Sequence, residues 1–467
     1  MDKEILNKFF EPKNIALIGA TRTPGFGFGI PTFWKKQGWL ERAFLVNPKG
    51  GEIEGRKVFS AISELPNEID LAVVIVPANA VKGVLIELGK KGTQAVVIES
   101  AGFAELGEEG KEKQEELLKV AQEYGIRLLG PNCVGVVNTE NRFATIELID
   151  QALEPGKVGI IAQSGVFGNI LLDHLPEVGI KVSKVATLGN KIDLDESDFL
   201  EYLSEDEKTQ LIMIYQEGVK DGERFIKVLR ETTRKKPVVI LKSGRTPFGQ
   251  KATLSHTGSL SGEDDIYDAV FQQAGAIRAQ NLTEMIELVK VISTQPVMKG
   301  KKIGVLTTSG SIGAMTADAI YKQGLELAQW SEPTIEKIKK VAPGYLNIKN
   351  PLDVGPSGIF NSALSAIISD SMVDGYILIP VVPFGAIERF RAFGVNAKNY
   401  LGDWQELRRQ IPEKPIVVML LGYKDWIKDI QELCGDNIAT VSLPENAVKA
   451  LSALYSFNQA KKDKGFY

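Results

Sequence analysis

Short apolar runs that do not alternate in polarity recur through the N-terminal part of the chain: Asn14–Gly19, Ala43–Val46, Leu71–Val76, Ala95–Ile98 and Arg127–Gly130. Runs of this kind suit strands buried on both faces, and so predict a parallel sheet with crossover helices. Glu108–Gln122, charged with apolar residues at helical spacing, suits one such crossover. Further on, Gln210–Tyr215 and Val238–Leu241 read as buried strands, and a helical pattern begins at Asp264.

The polar positions between the runs change the picture from fold to site. A glycine-rich loop follows the first run: Gly19-Ala20-Thr21-Arg22, then Gly25, Gly27 and Gly29. At the carboxyl end of a parallel strand, glycine lets backbone N–H groups and a helix N-terminus approach a phosphate. The spacing is not Gly-x-Gly-x-x-Gly, and the second run ends in Asn47-Pro48-Lys49 rather than an acidic residue. A carboxylate there would bind a ribose diol, whereas Lys49 suits an extra phosphate. The loop therefore reads as a nucleotide site that is not for NAD. The other run ends, Pro77-Ala78, Glu99-Ser100-Ala101-Gly102 and Gly130-Pro131-Asn132, are small and polar, as a binding crevice requires.

After Glu154-Pro155-Gly156 the chain repeats itself. Lys157–Gly168 aligns without gaps with Lys302–Gly313, and the match continues through Asp173/Asp318 and Gly179/Gly324. Asn190–Asp193 is echoed by Asn350–Asp353 after an insertion. This predicts a duplicated strand–loop–helix domain, each copy with a Ser-Gly (Ser164-Gly165, Ser309-Gly310) at the mouth of a helix. Such a turn gathers free N–H groups and the positive helix end, a ready anion site. The first copy places Glu217 just after a buried strand, facing the same crevice; the second has Val381-Val382-Pro383 there.

Lys242–Gly262 reads as a polar, glycine-punctuated loop around His256, one of two histidines in the chain. Each of these residues has an ordinary alternative: His256 as a capping or surface histidine, Glu217 as a solvated turn residue, Ser164 as a plain N-cap. Their convergence on one sheet points to chemistry. The second copy is expected to keep the fold without it. His174 falls inside a helix, and Tyr455–Tyr467 reads as a frayed end.

Composition narrows the classes. The 467 residues imply about three domains. With 44% hydrophobic and 24% charged residues the chain is of ordinary globular type. No apolar run reaches the ~18 residues of a membrane span, and the N-terminus has no secretory pattern. Cys133 and Cys434 stand far apart, which argues against a disulfide framework and a thiolate metal site and fits a reducing cytoplasm. Two histidines argue against a zinc site. A net charge of −4 without basic blocks leaves no nucleic-acid footprint.

Gly19-Ala20-Thr21-Arg22, Asn47-Pro48-Lys49, Gln163-Ser164-Gly165, Glu217-Gly218 and Ser255-His256-Thr257-Gly258 together closely resemble the NDP-forming acyl-CoA synthetases, relatives of succinyl-CoA synthetase. The order of parts resembles the α subunit of the acetate-type, ADP-forming ligases. The resemblance implies an α/β fold in which a Rossmann-like coenzyme A-binding domain (1–150) precedes two flavodoxin-like doubly wound domains. The first of these (151–297) carries the histidine and the second (298–467) lacks it. It implies that Gly19, Ala20, Thr21, Arg22, Pro48, Lys49, Pro77, Ile98, Glu99, Ser100 and Asn132 surround coenzyme A, with Lys49 on its 3′-phosphate. It implies that His256 is phosphorylated, that Glu217 holds its other ring nitrogen, and that Ser164-Gly165 hold the phosphoryl group. No ATP-grasp pattern is found in the chain. The resemblance therefore places ADP/ATP and Mg²⁺ on a separate β subunit, in an α2β2 assembly. Alternatives are the same chemistry on succinate or a branched or aryl acid, and a non-catalytic coenzyme A-binding regulator.

Overall fold

The computed structural model describes residues 3–25, 27–67, 69–257, 262–394 and 396–462, with the backbone alone at 254–257 and 390. The described residues form three sheets. They fall into two compact units, Met1–Gln280 and Asn281–Tyr467.

In the first sheet Ala43–Val46, Ile15–Ile18, Leu71–Val74, Ala95–Ile98 and Arg127–Leu129 lie side by side and parallel. An antiparallel hairpin, Gly51–Ile53 with Arg56–Phe59, extends the edge beyond Ala43–Val46. Every residue of Ile15–Ile18, Leu71–Val74 and Ala95–Ile98 is buried, which is why these segments carry no alternation. The predicted crossover forms as Glu108–Tyr124, turning Leu117, Val120 and Ala121 to the core. It ends on Gly125 in the left-handed conformation. Numbering these five strands in chain order, the spatial order is 2-1-3-4-5. The switch point therefore lies between Ile15–Ile18 and Leu71–Val74.

The second sheet repeats that order with Val182–Thr187, Val158–Ala162, Leu211–Gln216, Val238–Lys242 and Ile277–Ala279. Val136–Asn138 and Phe143–Ala144 join it antiparallel at the edge, beside Val182–Thr187. The third sheet repeats it again with Glu326–Leu327, Lys302–Thr307, Gly375–Ile379, Ile416–Met419 and Ala439–Val441. There Leu352–Asp353 also pairs with the end of Lys302–Thr307. Trp404, Trp426 and Tyr376 fill the core of the second unit. The helix Leu282–Thr294 belongs to this second unit, ahead of the 297/298 boundary read from the sequence.

Two local readings are corrected. The stretch after Lys242 is not a loop throughout, because Pro247–Thr257 is helical. Thr246 Oγ1 accepts from Gly249 N (3.2 Å) as an N-cap, and Pro247 stands at the first helical position. The C-terminal region is not frayed from Tyr455, because the helix Pro444–Lys462 runs through it. Leu451, Leu454 and Asn458 are buried along one side, and Asn458 Nδ2 donates to the Met298 carbonyl (3.1 Å).

Candidate active site

At the first switch point Gly19 has φ +101°, and a Cβ there would lie 2.0 Å from the Ile75 carbonyl oxygen. Glycine is demanded twice over, by backbone conformation and by close approach. Ala20 is buried; its carbonyl accepts from Asn47 Nδ2 (2.8 Å), which ties the loop to the end of the second strand. Thr21 Oγ1 accepts from Thr23 N (3.0 Å). Arg22 donates to the carbonyls of Glu52 (2.8 Å) and Gly50 (2.9 Å), so its guanidinium braces the hairpin beside the crevice. Pro48 and Lys49 are exposed, with Lys49 N donating to Asn47 Oδ1 (3.0 Å). Pro77, also exposed, caps the helix Ala78–Lys90.

Ile98, Glu99 and Ser100 form a buried edge. Ser100 Oγ accepts from Val76 N (3.1 Å), and the Ser100 carbonyl accepts from Asn132 N (3.0 Å). Asn132 takes φ +59°, turning the chain past the end of its strand. Glu99 Oε1 is buried with no hydrogen-bond partner among the described residues. Burial alone pushes the Glu99 carboxyl well above its ordinary 4.5. An orphaned buried oxygen and a cradle that a Cβ would fill fit a ligand with polar groups at this edge, as coenzyme A has.

At the second switch point, Val158–Ala162 and Leu211–Gln216 run side by side, Ala162 opposite Tyr215. Both chains then enter the crevice together. Ser164 caps the helix Gly165–Glu177, its Oγ accepting from Phe167 N (3.5 Å). Glu217 is 2% exposed, and Gln163 Oε1 accepts from both Glu217 N (2.8 Å) and Gly218 N (3.1 Å). Tyr215 O–H reaches Glu217 Oε1 (3.4 Å) and Ser243 Oγ (3.1 Å), while its ring stacks on Phe167 at 4.1 Å. Burial raises the Tyr215 hydroxyl above its ordinary 10, which keeps it a donor.

Next along the sheet, Lys242 is 2% exposed. Its ammonium donates to the Ser243 carbonyl and lies 4.7 Å from the Tyr267 ring centre. Arg245 and Arg278 both pair with Asp264, the first residue of the helix Asp264–Ala274. The backbone of His256 lies within Pro247–Thr257; its side chain, and Gly258, lie outside the described residues. His174 is exposed on the helix Gly165–Glu177. The structure thus brings Ser164, Gly165 and Glu217 to one point. Three residues not assigned from sequence touch the turn that carries Glu217 or each other: Gln163 through its Oε1, Lys191 through Nζ to the Gly218 carbonyl (2.7 Å), and Glu196 paired with Lys191 (2.8 Å). Gln163 and Lys191 fall inside the repeated segments, and Gln163 stands in the Gln163-Ser164-Gly165 motif; Glu196 carried no signal.

Residues 13–139 match the family model of a CoA binding domain, and residues 155–292 that of a succinyl-CoA ligase-like flavodoxin domain. Together with the fold they define the class, a coenzyme A ligase chain of the succinyl-CoA ligase type. The α subunit of ADP-forming acetate–CoA ligase I from Pyrococcus furiosus is 38% identical, over 98% of this chain and 98% of its own length. ADP-forming acetate–CoA ligase II from Archaeoglobus fulgidus is 40% identical over 96% of this chain, which spans 66% of that longer relative. The dinucleotide-forming acetyl-coenzyme A synthetase 1 of Ca. Korarchaeum cryptofilum, solved with phosphate and ADP, superposes with a TM-score of 0.85. That match is at 29% identity and covers 98% of this chain and 97% of the other. The chain belongs to the family of ADP-forming acetate–CoA ligases, in the form of their α subunits. Among the described residues no helix is long and apolar enough to cross a membrane.

Proposed function

We propose that this chain is the α subunit of an ADP-forming acetyl-CoA synthetase, interconverting acetyl-CoA, ADP and phosphate with acetate, coenzyme A and ATP. The observation that carries the reading is the meeting of Glu217 with the Ser164-Gly165 helix mouth, joined through Gln163 at the switch point. A carboxylate beside a helix N-terminus suits a phosphorylated imidazole: one group holds the ring, the other the phosphoryl oxygens.

In the first step phosphate attacks the thioester carbonyl; the C–S bond breaks and coenzyme A leaves. A nitrogen of His256 then attacks the phosphorus of the acyl phosphate, releasing the acid and leaving phosphohistidine. Glu217 accepts from the other ring N–H, fixing the tautomer and stabilising the charged adduct. The N–H groups at Ser164-Gly165 hold the phosphoryl oxygens. ADP finally takes the phosphoryl group. Gly19, Ala20, Thr21, Arg22, Pro48, Lys49, Pro77, Ile98, Glu99, Ser100 and Asn132 line the coenzyme A crevice, the exposed Lys49 serving the 3′-phosphate. Acetate is the acid preferred here because the acetate ligases are 35–40% identical, against 30% for the 4-hydroxybutyrate ligase of Nitrosopumilus maritimus.

A separate β subunit is supported by the α-subunit names of the full-length relatives; in this reading it is an ATP-grasp chain that holds ADP and Mg²⁺, in an α2β2 assembly. The working division is 1–150, 151–297 and 298–467, and the compartment is the cytoplasm. The test is reconstitution. This chain with an ATP-grasp partner makes ATP from acetyl-CoA, ADP and phosphate, and either chain alone makes none. ATP synthesis by this chain alone overturns the two-subunit reading; none from the pair overturns the activity.

A further inference from the structure

The turn carrying Glu217 is held from two directions. On one side Gln163 Oε1 accepts from the backbone N–H groups of Glu217 and Gly218. On the other, Lys191 Nζ donates to the Gly218 carbonyl (2.7 Å) and to Glu196 Oε2 (2.8 Å). Gln216 Nε2 donates to Glu196 Oε1 (3.4 Å), and Lys220 Nζ to the Lys191 carbonyl. Residues 216, 217, 218 and 220 are thus each gripped by this one network.

The pair is made at a local cost. The Lys191 and Glu196 side chains are 1% and 2% exposed, and a buried ion pair gives little net stability over well-packed apolar residues. Lys191 also holds φ +54°, a left-handed conformation that strains a residue with a Cβ. Orientation of the turn is what the pair returns.

The second copy supplies the control. Ala162 pairs with Tyr215, and Thr307 with Ile379, so Val381 occupies the place of Glu217 and Thr308 that of Gln163. The echo of Asn190–Asp193 in Asn350–Asp353 puts Pro351 where Lys191 stands. Where the carboxylate is absent, the clamp is absent too. Thr308 Oγ1 donates to the Val381 carbonyl instead (2.5 Å), which suffices to close the fold.

We propose that Gln163 and the buried Lys191–Glu196 pair are positioning residues that fix the 216–220 turn and so hold the Glu217 carboxylate in place for phosphohistidine formation; this rests on the roles given above to His256 and Glu217. The test measures phosphoenzyme formation from acetyl-CoA and phosphate by rapid quench, with KM for acetyl-CoA, using the full chain and its ATP-grasp partner. Four proteins are compared: the natural chain, Glu196→Gln, Glu217→Gln and the double variant. Glu196→Gln slows phosphorylation on the order of tenfold with KM unchanged, the scale of a misplaced catalytic group. The double variant is no slower than Glu217→Gln alone, because the clamp then has nothing left to aim. If Glu196→Gln does not fold, the pair variant Lys191→Met/Glu196→Leu, which leaves no buried charge, takes its place in the same cycle. A natural rate in the clamp variant, or losses that multiply in the double variant, overturns the positioning role alone. A natural rate in Glu217→Gln overturns the role of Glu217 and the clamp with it.

Discussion

The two flavodoxin-like copies share a strand, a Ser-Gly and a helix, yet differ in the side chains to which the proposed chemistry is assigned. In each, the residue after the first strand donates its backbone N–H to the neighbouring strand: Gln163 to Tyr215 (3.0 Å) and Thr308 to Ile379 (3.2 Å). In each, a later glycine lets the helix close on the sheet. A Cβ at Gly168 would lie 2.9 Å from Thr187, and one at Gly313 would lie 3.2 Å from Thr307. These features belong to the fold and survive in both. The copies part at Glu217 against Val381, Lys191 against Pro351 and Lys242 against Leu420, the first two of which fall in the site proposed above. The Ser-Gly is therefore common to both copies, and the side chains at the neighbouring strand ends are what separate them.

Glycine at the helix mouth gives the widest separation between the copies. Gly165→Val crowds the helix mouth against Val134, since a Cβ there would lie 3.1 Å from Val134 Cγ1 and 3.3 Å from Val134 N. By shifting the N–H groups proposed to hold the phosphoryl oxygens, it is expected to cut phosphoenzyme formation roughly a hundredfold, the scale of losing an oxyanion donor. Coenzyme A binding should survive it. Gly310→Val should leave phosphoenzyme formation unchanged while lowering the unfolding midpoint, because a Cβ there lies 2.8 Å from Asp353 Oδ2. Rapid-quench phosphorylation and denaturant unfolding on both variants check this. Equal loss of phosphorylation in the two would erase the distinction.

A smaller effect concerns Lys242, whose place in the second copy is taken by Leu420. Burial pushes the Lys242 ammonium down to about 8 from its ordinary 10.5. Below pH 8 the lysine is charged in both the folded and the unfolded chain, and folding carries the burial cost. Between pH 8 and 10.5 the unfolded chain holds a proton that the folded chain has lost, so stability rises with pH across that window. Lys236, also pushed down to about 8, contributes in the same sense. Lys242→Met should flatten the rise by Lys242's share, measured by denaturant unfolding at several pH values. An unchanged slope would show that Lys242 keeps its proton in the folded chain.

Much of the parallel-sheet frame was legible because strands buried on both faces leave continuous apolar runs. The duplication was legible because close packing of helix on sheet keeps glycines at fixed offsets. The hairpin Gly51–Phe59 was not, since its strands are short and carry exposed Glu52 and Lys57. The helix Pro247–Thr257 was missed although Thr246-Pro247 is a start signal, because its small and polar residues carry no apolar stripe. The clamp was out of reach for another reason. Lys191 and Glu196 look like surface charges until the fold buries the pair beneath the turn, Lys191 on the Gly218 carbonyl and Glu196 on Lys191 and Gln216.

The central claim is that His256 carries the phosphoryl group. Intact mass of the purified chain, with its ATP-grasp partner, after incubation with acetyl-CoA and phosphate tests it most directly, run beside His256→Ala. The account predicts a gain of one acid-labile phosphoryl group on the natural chain and none on the variant, with coenzyme A bound by both. An equal gain on the variant, or no gain on either, would contradict it.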